Sequence, residues 1–190
     1  CDHVARNRFT LDAMGGSDTP FKILQTLIKL RPSEGKSISP ILAAEKLAPS
    51  VRISEIKQVT VETHRKAREI LGSGEIRWNP GSRQDADHSI PYVVAVTLMD
   101  GTVTLRSFND AHLWNPELRA LMRKIEVVEN AEFTQADNRQ PQEHRTRITV
   151  VTNSGERLVG ESGGDKDELA APKSDADIAQ IAEKFRALTE

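Results

Sequence analysis

The chain holds a single cysteine, Cys1, in 190 residues. No internal disulfide can form, and a reducing, cytoplasmic setting is the expectation. A surplus of cations is missing as well. The formal net charge is −2, so no broad basic surface calls for nucleic acid or an anionic membrane. The longest near-continuous apolar run, Val93 to Met99, is too short to span a bilayer, and no segment reads as a signal peptide. The five histidines, His3, His64, His88, His112 and His144, are scattered, with neither H-x-x-x-H nor C-x-x-C, so no metal is expected. G-x-S-x-G is absent, and with it the nucleophile elbow of a Ser-His-Asp hydrolase. Dinucleotide and phosphate-loop fingerprints are absent too; Gly15-Gly16 lacks the G-K-S/T that would follow. No cofactor is therefore expected. Repeats and low-complexity tracts are lacking.

The stretch Trp78 to Asp100, WNPGSRQDADHSIPYVVAVTLMD, holds the densest set of chemically able side chains. They are Trp78, Asn79, Arg83, Asp85, Asp87, His88, Ser89 and Tyr92, leading into Val93 to Met99. That run suits a buried helix. Ser89 fits an N-cap with Pro91 in the first turn, where a missing N–H costs little. His88 and Asp87 would then flank the positive end of the helix dipole, where an anion can be held. A second arrangement starts the helix near Arg83, kinks it at Pro91, and puts His88 and Tyr92 on one face at i,i+4.

Upstream, RPSEGKSISP is a loop entering a helix, with Ser39 as N-cap and Pro40 first inside it. Lys29, Arg31, Glu34 and Lys36 crowd this loop, and cations ahead of a helix N-terminus suit a carboxylate ligand. Residues 1–80 carry a small cationic excess and residues 81–190 an acidic one. Alternation predicts a strand near 56–63, with a slip between Ile56 and Val59 that marks a bulge or a late strand start. A short helix from Lys66 to Leu71 ends at Gly72. Asn115-Pro116-Glu117 opens a helix to about Lys124, and IEVVE at 125–129 is a strand. Asn130 to Glu143 reads as polar loop. Strands at 147–152 and 157–161 flank Asn153-Ser154-Gly155 as a hairpin. Ser174 caps a last amphipathic helix that turns Ile178, Ile181, Phe185 and Leu188 inward. The fold class is α+β, with about four strands and several helices. Residues 1–20 are expected to be a connector, 21–162 the α+β domain, and 163–190 a loop and closing helix. Since the chain opens on Cys rather than Met, it is expected to be a piece of something longer or to carry a processed or misassigned start.

WNPGSRQDADHSIPYVVAVTLMDGTVTLRSFND resembles the lid-domain signature of the MmgE/PrpD (2-methylcitrate dehydratase) family. FKILQTLIKLRPSEGKSISPILAAEKL, NPELRALMRKIEVVEN and PKSDADIAQIAEKFRAL resemble further segments of that family in register, over roughly residues 20–188. The resemblance implies proton transfer on a small polycarboxylate without a metal. It implies a place in propionate metabolism, a preceding helical domain absent from this chain, and a possible homodimer. Lys29 and Glu34 fall on positions that line the relatives' active sites, and Lys36 stands where many relatives have His. Arg77 to Pro80 matches a loop that meets substrate, although one branch has Tyr where Arg77 or Trp78 stands here.

Removing a proton beside a carboxylate and expelling hydroxide needs a base, an acid and cations. The expected catalytic pair is His88, as acid or base, and Tyr92, as donor. The expected substrate-binding residues are Lys29, Glu34, Lys36, Arg77, Trp78, Asn79 and Arg83. The expectation is the lid part of a dehydratase, inactive alone. The alternatives are a related cis-aconitate decarboxylase or iminodisuccinate epimerase, and a non-catalytic interaction domain whose docking face lies near Phe21 to Leu30.

Overall fold

Two apolar segments organise the chain: an alternating one that becomes a central strand and a continuous one that becomes a buried helix. The computed structural model describes residues 29–140, 142–163 and 175–187, together with Gly16 and Phe21. The expected connector at 1–20 and most of the loop after Gly163 lie outside the described residues. In order, helix α1 (Ile38–Leu47) precedes strand β1 (Ile56–Thr63) and helices α2 (Arg65–Leu71), α3 (Glu75–Trp78), α4 (Arg83–Asp87) and α5 (Ile90–Asp100). Then come α6 (Asp110–Leu113), α7 (Pro116–Met122), β2 (Ile125–Glu129), α8 (Ala131–Asp137), β3 (Thr146–Thr152), β4 (Arg157–Ser162) and α9 (Asp175–Ala187).

The strands form one mixed sheet in the order β2-β1-β3-β4. β1 pairs parallel with β2 and antiparallel with β3, and β3 pairs antiparallel with β4. The expected slip is present as a register shift between Ile56 and Gln58. On one face Ile56, Val59, Val61, Ile148 and Val150 are buried in a core shared with α1 and α5. On the other, Arg147 reaches Glu62 and Glu161, at 3.7 and 2.9 Å. That second face is only partly covered among the described residues, by Phe133 of α8 beneath the Arg147 guanidinium, 5.4 Å from the ring centre.

α5 is apolar all round, buried from Ile90 to Leu98, as suits a helix enclosed by sheet and helices. Ser89 caps it by accepting from the Tyr92 amide, and Gly101, in the left-handed region, ends it. The two arrangements weighed for this stretch resolve into separate helices, α4 and α5. α1 starts earlier than expected. Its N-cap is Ser37, and Ser39 and Pro40 lie inside the first turn, where proline still costs no hydrogen bond.

Two expectations are corrected. Residues 131–137 are helix rather than loop, because the Asn130 side chain accepts from the Glu132 and Phe133 amides and Phe133 and Ala136 are buried beneath. Polar composition hid a helix with only a narrow apolar stripe. In α9, Ile178 and Phe185 are exposed rather than inward; Ser174 and Leu188 lie outside the described residues. No described helix is long and apolar enough to cross a membrane.

Candidate functional site

The loop of residues 29–37 and the α4–α5 junction meet. Arg31 anchors the loop, donating to both oxygens of Glu45 on α1 at 2.6 and 2.9 Å and to Thr102 at 3.0 Å. A forked guanidinium pair of this kind fixes direction as well as distance. The Ser33 and Ser37 hydroxyls lie 2.6 Å apart, within reach of the Glu34 carbonyl and, at 3.2 Å, the Asp87 carbonyl. Ser33 therefore joins the loop to the residue before His88. The Lys29 ammonium donates to the Ser33 carbonyl at 3.0 Å. Ser33 thus meets the Lys29 ammonium through its carbonyl and the Asp87 carbonyl through its hydroxyl.

Glu34 accepts from the Lys36 amide at 2.6 Å, and its other oxygen is 3.3 Å from the Lys36 ammonium. The carboxylate holds the turn and partly neutralises the lysine. His88 is half-buried, with Nδ1 3.0 Å from the Gln84 carbonyl. In the neutral ring, donation there puts the proton on Nδ1 and leaves Nε2 with the lone pair a general base requires. Asp87 Oδ2 lies 3.7 Å from the same Nδ1, while Asp87 Oδ1 is buried without a hydrogen-bond partner.

Ser89 donates to the Arg77 carbonyl, drawing α3 against the start of α5. Trp78 is half-buried, and its ring N–H donates to the Ile125 carbonyl at 3.0 Å. Asn79 is exposed and accepts from Arg119 at 3.0 Å. Arg83 opens α4 and is exposed. Glu34 and Lys36 pair within the loop, the Arg77 carbonyl is tied to Ser89 at the start of α5, and Asn79 and Trp78 are tied to α7 and β2.

Tyr92 lies elsewhere. It is fully buried, its hydroxyl donates to the Ser107 carbonyl at 2.7 Å, and its ring stacks on Phe108 at 6.0 Å. Burial pushes its hydroxyl up to about 12. This geometry gives Tyr92 a packing and tethering position, in place of the proton-donating one expected.

Sequence reasoning missed two features. Arg119 holds the loop after α3, donating to Asn79 and, at 2.6 Å, to the Pro80 carbonyl, with its guanidinium 5.3 Å from the Trp114 ring centre. It lies 40 residues from Asn79, so no local pattern marks it. The second is a buried group of His64, Asp137 and His144. The expectation of no metal rested on spacing within the chain, and here the topology, not the spacing, assembles the ligand types.

A mixed α+β domain carrying lysines and an imidazole at one loop–helix junction is the class these observations define. The chain belongs to the MmgE/PrpD family, matching its C-terminal domain over residues 32–190. It is 33% identical to the 2-methylcitrate dehydratase of Salmonella typhimurium over 107 residues, 55% of this chain and 21% of that protein. It is 31% identical to a probable 2-methylcitrate dehydratase of Saccharomyces cerevisiae over 81 residues, 43% of this chain and 15% of that one. It is 38% identical to human cis-aconitate decarboxylase over 48 residues, 25% of this chain and 10% of that enzyme. The matched part is thus about a fifth of the Salmonella protein's length.

Proposed function

We propose that this chain is the lid part of a dehydratase of the 2-methylcitrate type, acting on a small polycarboxylate by proton transfer between side chains. It works with a helical domain supplied by a longer polypeptide or a second one. The observation that carries the reading is the Ser33 contact with the Asp87 carbonyl, which sets the lysine loop beside His88. Lys29, Lys36 and Arg77 offer charge to carboxylates, and the N-terminus of α5 adds partial positive charge. Nε2 of His88, unprotonated when Nδ1 donates to Gln84, accepts the proton beside a carboxylate. Loss of hydroxide then needs an acid, for which the partner domain is the source, because the Tyr92 hydroxyl is committed to Ser107.

The test is co-expression with the helical domain and an assay of water loss from 2-methylcitrate. His88→Ala lowers kcat by about 100-fold or more, the scale of a lost general base. Lys29→Ala acts mainly on KM. Full activity in the double variant sinks the assignment. Loss of carbon dioxide from cis-aconitate in place of water loss would move the chain to the decarboxylase branch.

A further inference from the structure

Below the junction lies a group of buried ionisable side chains for which the proposed reaction has no use. His64 ends β1 and precedes α2, Asp137 ends α8, and His144 lies just before β3. Each offers one ligand atom, and the three atoms lie within 4.8 Å of one another. His64 and Asp137 are fully buried, at 1% and 3% exposure.

Both ring nitrogens of His64 and Nδ1 of His144 are buried without a hydrogen-bond partner. Orphaned buried nitrogens are costly, and native structures hold few of them. Two separations bear on what would satisfy them. His64 Nδ1 is 3.4 Å from Asp137 Oδ2, and His144 Nε2 is 3.4 Å from Asp137 Oδ1. A tetrahedral ion with bonds of ~2.0–2.1 Å sets neighbouring ligand atoms ~3.3 Å apart.

We propose that His64, Asp137 and His144 bind a divalent transition cation of the zinc type, which enters by displacing the Lys66 ammonium from Asp137. Lys66 Nζ now lies 3.0 Å from Asp137 Oδ2, but its side chain is 53% exposed and can swing into water. Gln142, donating to Oδ1 at 2.7 Å, stays as a support for the carboxylate. The imidazoles stack, with ring centres 5.1 Å apart, so both must turn to converge. For His64 that turn breaks no hydrogen bond. Two imidazoles and one carboxylate favour zinc or cobalt over calcium or magnesium and leave one coordination position open. The ion would brace β1, α8 and the lead into β3.

The test is titration of the chelator-stripped 190-residue chain with Zn²⁺ by calorimetry, and with Co²⁺ by the visible absorption of the tetrahedral ion. One equivalent is expected to bind, with His64→Ala/His144→Ala abolishing it. Lys66→Met, at an exposed position that leaves the core intact, is expected to tighten binding about tenfold, ~1.4 kcal/mol, by removing the competing charge. Binding that persists in the double variant overturns the site. Should that variant fail to fold, Lys66→Met decides alone: tighter binding supports the site, and unchanged, weaker or absent binding overturns it.

Discussion

At the residue scale, the same side-chain chemistry takes different parts according to what surrounds it. His88 and His64 are both single histidines at the end of an element. One is half-buried with a carbonyl partner, and the other is sealed among Asp137, His144 and Lys66. With chelator present, His64 gives a signed pH effect. Its folded value, about 4, lies below the ordinary 6.5 of an unfolded chain. Between those values the unfolded state binds the extra proton, so stability falls as pH drops from 6.5 toward 4. From pH 7 to 5 the loss is about 2 kcal/mol. Urea unfolding at the two pH values should show it, and His64→Gln should flatten it. For Tyr92→Phe the ring packing survives and the Ser107 carbonyl loses its donor. A loss of about 1–2 kcal/mol is expected by denaturant titration, with catalysis of the assembled enzyme kept. A collapse of kcat at unchanged stability would return Tyr92 to the chemistry.

Elements meet here at positions too tight for a side chain. α1 lies across β4 at Gly160, where an added Cβ would come 2.4 Å from the Ala43 carbonyl oxygen and 2.8 Å from Leu47. The backbone oxygen cannot step aside, so Gly160→Ala must part the helix from the strand. A loss of about 1–3 kcal/mol is expected by thermal or chemical unfolding. Because α1 begins at the end of the lysine loop, the same change should disturb Lys36 and weaken substrate binding in the assembled enzyme. β1 and α5 were legible at this scale, since strict alternation and a Ser-capped apolar run are strong local signals. α8 was not, because its burial rests on Phe133 and Ala136 beneath an otherwise polar surface.

Among the described strands, β1 has a partner on each side while β2 and β4 are edges. Hydrogen exchange should therefore be slowest at Val59, Val61 and the buried span of α5, and faster along β4. Equal exchange of β4 and β1 would contradict this order. The sheet runs parallel between β1 and β2, so everything from α2 to α7 serves as the crossover between them. That long connection returns the chain from Thr63 to Ile125 and carries Arg77, His88 and Arg119 on the way. Sequence alone determined the four strands, α5 with its Ser89 cap and the lysine-rich loop, because each rests on neighbours within a few residues. The tertiary structure alone decided that Ser33 meets Asp87, that Arg119 grips Asn79, that Tyr92 turns into the core, and that His64, Asp137 and His144 converge. Apart from Asp137 and His144, seven positions apart, those contacts join residues between 15 and 80 positions apart, and only sheet register and helix packing bring such distant positions within bonding range.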